Sequence, residues 1–125
     1  MGEIGSFFFD TYALYELIHG NPNYRKYEKK VGLITTRLNL MELHYILLRT
    51  YGEEFADKAF NRFLKFIVQF QNDDIKKANF FKYNYKKRKL SYIDCIGYVV
   101  AKRHNFKFLT GDIQFKDMEE VEFVR

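Results

Sequence analysis

The stretch from Leu90 to Asp112, Leu-Ser-Tyr-Ile-Asp-Cys-Ile-Gly-Tyr-Val-Val-Ala-Lys-Arg-His-Asn-Phe-Lys-Phe-Leu-Thr-Gly-Asp, constrains this chain more than any other. Ser91 opens a helix, His104-Asn105 makes a short turn, and Phe106–Leu109 forms a strand that runs into Thr110-Gly111-Asp112. Asp94 then sits in the first turn of the helix, and Asp112 just beyond the C-terminal end of the strand. In an open α/β sheet both places lie on one edge, where ligands bind. Carboxylates gathered there repel one another unless a cation or a proton intervenes. The remainder of the chain is therefore read for acids that reach the same edge.

Phe7-Phe8-Phe9 is an uninterrupted aromatic run, the signature of a strand buried in a sheet. Asp10 follows it directly, and Thr11–His19 reads as a helix closed by Gly20-Asn21-Pro22. Asp10 is either the N-cap of that helix or a metal ligand at the end of the first strand, and taken alone the cap suffices. A polar, basic connection over Asn23–Lys30 leads to a second strand, Val31–Thr35. Thr36 caps the next helix, Arg37–Thr50, in which Leu38, Met41, Tyr45 and Leu48 recur at helical spacing and are expected to face the core. Glu42 falls at the margin of that stripe. A carboxylate there needs a partner or a cation, and an ordinary ion pair or snorkelling to solvent accounts for it as well as a site role does.

Glu53–Phe66 reads as a further amphipathic helix with Phe55, Ala59, Phe63 and Phe66 inward. Ile67–Phe70 is a short strand or the end of that helix. The helix Asp74–Tyr85 begins a basic belt: seven of the chain's 21 basic residues lie between Ile75 and Ile93 with no acid among them, leaving 14 against 16 acids elsewhere. Phe80, Phe81, Tyr83 and Tyr85 interleave with the lysines, a combination that suits single-stranded nucleic acid. The aromatics are read as the helix's core side. Lys82, Lys86, Lys87, Arg88 and Lys89 are read as contacts for a phosphate backbone. Ser91-x-x-Asp94 has capping-box spacing, while Gly97 and Ala101 form a small-residue strip on Asp94's side of the helix, open to close approach by another backbone. Asp117 is a turn residue or a spare ligand, and Val121–Val124 is a last strand.

The order of elements predicts an α/β fold, a three-layer sandwich around a short, mostly parallel central sheet, with residues 1–125 as a single domain. An aromatic content of 19% with a single proline argues against disorder. Cys95 is the only cysteine, so an internal disulfide is excluded, and no His/Cys set has zinc spacing. His19 and His104 precede helix-ending Gly20 and Asn105, which explains them as helix-end residues. With no long apolar run and no signal-peptide layout, the protein is expected to be soluble and cytoplasmic, without a membrane partner. Asp10, Glu42, Asp94 and Asp112 supply hard oxygen ligands, which favour Mg²⁺ or Mn²⁺. Such a site beside a positive belt suits phosphodiester hydrolysis. A response-regulator receiver requires an acidic pair after the first strand, and Asp10 has no acidic neighbour.

Four pieces in this order, Phe-Phe-Phe-Asp-Thr-Tyr-Ala-Leu, Thr-Arg-Leu-Asn-Leu-Met-Glu, Leu-Ser-Tyr-Ile-Asp-Cys and Phe-Leu-Thr-Gly-Asp-Ile-Gln-Phe-Lys-Asp, resemble a PIN domain, and the resemblance covers almost the whole chain. It implies a Mg²⁺/Mn²⁺-dependent ribonuclease with acids converging at the sheet's C-terminal edge: Asp10, Asp94 and Asp112 as metal ligands, Glu42 completing the catalytic set, and Thr110 supporting it. Many members carry Asn shortly after the first Asp, where this chain has Thr11-Tyr12. The likeness is nearest to small VapC-type toxins, which implies RNA as substrate, a small antitoxin as partner and a homodimer. A housekeeping RNA-processing nuclease and a non-catalytic RNA- or protein-binding module are the alternative expectations.

Overall fold

Alternation along a strand sends successive side chains to opposite faces, so three consecutive phenylalanines need apolar cover on both sides. The computed structural model, which describes residues 5–29 and 31–125, provides it. Strand β1 (Gly5–Phe9) lies inside a four-stranded sheet of order β2-β1-β3-β4, with β2 spanning Val31–Ile34, β3 Lys107–Thr110 and β4 Val121–Phe123. Every pairing among these strands is parallel, and Phe8 stands opposite both Ile34 and Phe108. Phe7 and Phe9 enter one core, with Leu14, Leu40, Leu43 and Phe63. Phe8 enters the other, with Val100, Phe108 and Phe115. The three layers expected from the order of elements are present.

The first core is covered by α1 (Thr11–Ile18), α2 (Arg37–Tyr51) and α3 (Glu53–Phe63), the second by α4 (Asn72–Asn84) and α5 (Tyr92–Arg103). The chain leaves β1 toward β2 on one side and later returns to β3 on the other. The C-terminal ends of β1 and β3 therefore frame a topological switch point. Pro22–Tyr27 forms a 3₁₀ segment within the expected connection, of which Lys30 lies outside the described residues. Ile67 makes only an isolated parallel bridge with Thr35, so Ile67–Phe70 is not a strand. Asn105 takes the left-handed conformation, φ 60°, which asparagine tolerates at a helix end and which produces the turn before β3.

The expected stripe of α2 is corrected. Met41 and Tyr45 are 57% and 61% exposed and Leu48 is exposed too, whereas Leu40, Leu43 and Leu47 are fully buried. Two apolar rows interleave on this helix. Periodicity detects that a face exists without saying which row meets the sheet. On α3 the inward positions are Ala56, Ala59 and Phe63, and Phe55 lies exposed. The reading of Gly97 is also refined. A Cβ there would lie 2.9 Å from Cε1 of Phe8, so an aromatic ring, not a neighbouring backbone, occupies the space that glycine leaves.

Leu43→Ala should cost about 2–5 kcal/mol in urea denaturation, as for other buried leucines. Met41→Ala should stay within about 0.5 kcal/mol, as for surface substitutions. Equal losses would contradict the observed orientation of α2.

A candidate acidic active site at the strand switch point

Asp10 is placed by the end of β1, where the aromatic run stops and α1 begins. As the N-cap of α1, its Oδ1 accepts a hydrogen bond from the Ala13 N–H at 2.8 Å. Its Oδ2 accepts from the Thr110 hydroxyl at 2.5 Å. The same hydroxyl oxygen accepts from the Asp112 N–H at 3.0 Å, so Thr110 ties the ends of β1 and β3 together. Asp112 in turn caps a short 3₁₀ turn, Ile113–Phe115, through the Gln114 N–H at 2.9 Å. Asp94 occupies the third position of α5 in a reciprocal capping box with Ser91, with contacts of 3.1 and 3.0 Å. Capping and site placement are thus not alternatives for these aspartates, since each caps a helical element and faces the same cavity.

That cavity, about 700 Å³, is lined by Asp10, Glu42, Asp94 and Asp112 together with Glu16, Arg49, Arg125 and neighbouring residues. The four acids singled out from sequence are brought together from four elements. Glu42 comes from α2 and faces Asp94 closely enough to act on its charge. Burial, opposed by the bonds from Thr110 and Ala13 and reinforced by Asp94 and Asp112, pushes the Asp10 carboxyl up to about 8. Burial likewise raises Asp94, with repulsion from Asp112 and Glu42 adding to it. Among the described residues, no three acidic, histidine or cysteine side chains converge into a ready metal-ligand group. The donor chemistry nonetheless fits a hard divalent cation, because among the described residues none of the four acids makes an ion pair.

Gly111 is required by close packing. A Cβ at this position would sit 2.1 Å from Cε1 of Tyr12 and 2.6 Å from the Val124 carbonyl oxygen. Behind the acids lies a buried polar relay that the sequence did not disclose. The Thr36 hydroxyl donates to Asn39 Oδ1 at 2.7 Å, and Asn39 Nδ2 donates to the Thr11 hydroxyl at 3.2 Å. Thr35, also buried, donates to the Phe9 carbonyl at 2.8 Å. Thr11, which follows Asp10, is thereby joined to α2. Only the clustering of Thr35, Thr36 and Asn39 at a helix start could have signalled this network.

The family model of the PIN domain matches residues 7–121. The chain belongs to the PIN domain family. No curated protein matches it. Among solved structures, VapC20 of Mycobacterium tuberculosis, a sarcin–ricin loop cleaving toxin, superposes with TM-score 0.75 at 20% identity, covering 92% of this chain and 98% of that one. A toxin–antitoxin complex from Klebsiella pneumoniae gives TM-score 0.73 at 19% identity over 92% and 94% of the two chains. VapBC2 from Rickettsia felis, bound to a DNA fragment from its promoter, gives 0.71 at 16% over 95% and 97%. These likenesses are likenesses of the PIN fold, with its four-stranded parallel sheet flanked by helices. Among the described residues no helix is long and apolar enough to cross a membrane.

None of the belt residues lines the acidic cavity. Arg88 makes a two-pronged pair with Asp117 at 2.9 and 3.1 Å, so Asp117 lies outside the acidic cluster and holds a cation. Lys82 donates to the Leu90 carbonyl and lies over the Tyr92 ring. Lys86, Lys87 and Lys89 remain exposed.

A carboxyl whose folded-state pKa is raised keeps its proton where the unfolded chain has lost it. Stability therefore falls as pH rises from about 4, the unfolded value, toward the folded value of about 8 and then levels off. In metal-free buffer, Asp10→Asn should gain in melting temperature relative to the native protein across that window. Parallel pH profiles would contradict the burial of an uncompensated carboxyl.

Proposed function

We propose that this PIN-family chain is a Mg²⁺- or Mn²⁺-dependent endoribonuclease of the VapC toxin type. The observation that carries the reading is that Asp10, Glu42, Asp94 and Asp112, from four separate elements, line one cavity at the β1/β3 switch point. Structural likeness to toxins that include a sarcin–ricin loop cleaving enzyme supports RNA as the substrate.

In this reading Asp10, Asp94 and Asp112 hold the metal, and Glu42 completes the catalytic set as a further ligand or by orienting the attacking water. The chemistry such an ion supplies is acidification of water and neutralisation of charge on the phosphodiester. The chain's own contribution is positional. Thr110 fixes one oxygen of Asp10 while its hydroxyl oxygen fixes the Asp112 backbone, so the ends of two strands hold their carboxylates in register. Ser91 does the same for Asp94 from α5. Binding the metal requires the proton on Asp10 to leave, so occupancy should strengthen as pH rises toward about 8.

The partners in this reading are RNA, a small antitoxin protein and a second copy of the chain. Exposed Met41, Tyr45 and Leu48 on α2 support a protein partner, since apolar groups clustered on a surface favour being covered. The proposed site of action is the cytoplasm.

Purified protein should cleave single-stranded RNA with Mn²⁺ or Mg²⁺ and not with EDTA. Asp94→Asn keeps an oxygen for the Ser91 cap but loses the charge, and should reduce the rate at least ~100-fold, equivalent to about 2.7 kcal/mol or more of lost charge stabilisation. Undiminished cleavage by a folded Asp94→Asn protein would sink the assignment. RNA binding that persists in EDTA without cleavage in either metal would point to a binding module. Light scattering after size exclusion should give twice the 15.2 kDa chain mass, and a monomer would remove the dimer from the proposal.

A further inference from the structure

The acidic cavity has a second wall of different chemistry. Arg49 lines it from α2, two helical turns beyond Glu42, and Tyr15 lines it from α1. Among the described residues Arg49 makes no ion pair, although it shares a cavity with five carboxylates. Its guanidinium rests 5.4 Å from the centre of the Tyr45 ring. A cation–π contact of this kind consumes no N–H group, and the guanidinium's planar fork of donors matches a phosphate.

Tyr15 is fixed beside it. Its ring stacks on His19 at 4.0 Å with an interplanar angle of 20°. His19 is pinned through one ring nitrogen to the Tyr15 carbonyl at 2.8 Å and through the other to the Tyr51 hydroxyl at 2.7 Å. Tyr51 continues the row to Phe55, 4.8 Å between ring centres. An aromatic wall already held in place loses little freedom when a base packs against it. Arg125 also lines the cavity, but Arg49 shares helix α2 with Tyr51, a member of this ordered row.

We infer that Arg49 and the Tyr15–His19–Tyr51 row form a nucleotide subsite flanking the acidic cavity, which grips a phosphate of single-stranded RNA and packs the adjoining base. The inference rests on the reading of the cavity as a ribonuclease site and departs from the expectation that the belt lysines guide the strand. An RNA phosphate approaching clustered carboxylates meets repulsion, and a cation lining the same cavity offsets it directly, whereas no belt residue lines that cavity. Packing against rings is indifferent to base identity, so the subsite contributes affinity and direction more than sequence choice.

The test titrates a labelled single-stranded oligoribonucleotide at several salt concentrations and measures KM and kcat in Mn²⁺. The proteins are wild type, Arg49→Gln, Arg49→Lys, Tyr15→Leu and the combined Lys86→Gln, Lys87→Gln, Lys89→Gln variant, each checked for folding by circular dichroism. Arg49→Gln should raise KM about tenfold with kcat nearly unchanged, and should lower the salt slope by about 0.7, the value for one phosphate contact on a single strand. Arg49→Lys should restore the slope and only part of the affinity. Tyr15→Leu should weaken binding about tenfold without altering the slope.

Native KM and slope in both Arg49→Gln and Tyr15→Leu, with losses confined to the belt variant, would overturn the subsite. So would failure of the wild type to bind RNA at all. Should the wild type bind RNA but cleave none with metal, the nuclease reading falls, and the Arg49→Gln titration still decides the subsite by itself.

Discussion

Everything in this molecule follows from burying β1 on both faces. Phe7 and Phe9 demand one layer of helices and Phe8 demands another, and the strand lies inside the sheet. With β2 on one flank and β3 on the other, β1 ends at the point where the direction of chain winding reverses. Backbone at such a point diverges and leaves a crevice. The residue that follows the last phenylalanine, Asp10, is delivered into it. Apolar burial positions the first carboxylate.

The crevice is then made electrostatically uncomfortable. Asp10 is buried and its proton is held far above the usual carboxylate range, while Asp94 is shifted in the same direction. Elsewhere the chain neutralises its buried acid efficiently. Asp74, equally hidden, accepts three hydrogen bonds from Arg103, with both Nε and Nη2 contributing, and its carboxyl is held below the ordinary range. The contrast is informative because the same fold contains both solutions. An acid serving stability is given an arginine. The acids of the cavity are bonded by a hydroxyl and by helix-capping N–H groups, and although Arg49 and Arg125 line the same cavity, among the described residues neither pairs with them. That arrangement supports the proposal of a cation site, where stability is forgone for a binding function.

Several of the acids that line the cavity were legible from sequence because local chemistry announces them. Asp10 follows an aromatic strand, Asp94 stands three after a helix-starting serine, and Asp112 ends a Thr-Gly-Asp turn. Each pattern is a short-range signal: the caps expected at Asp10 and at Ser91 with Asp94 are made, and Asp112 caps a 3₁₀ turn that was not expected. The Thr11–Asn39–Thr36 relay was not legible, because its members meet across 28 residues of sequence and none is unusual in its own neighbourhood. Nor was the role of Arg88, whose partner Asp117 is 29 residues away. Its charge looked free in the belt and is not.

The sequence by itself determined most of the strands and helices, that the sheet is mostly parallel and covered on both sides, and which carboxylates follow its strands. These properties depend on side-chain period, caps and turns, all of which act within a few residues. Only the tertiary structure decided which of two interleaved apolar rows of α2 faces inward, leaving Leu40, Leu43 and Leu47 buried and Met41, Tyr45 and Leu48 outside. It alone set Arg49 in the lining of the acidic cavity and left the lysine belt out of that lining. Helix rotation and the meeting of distant charges are fixed by how elements pack against one another, and a one-dimensional pattern carries the period of a helix but not its phase.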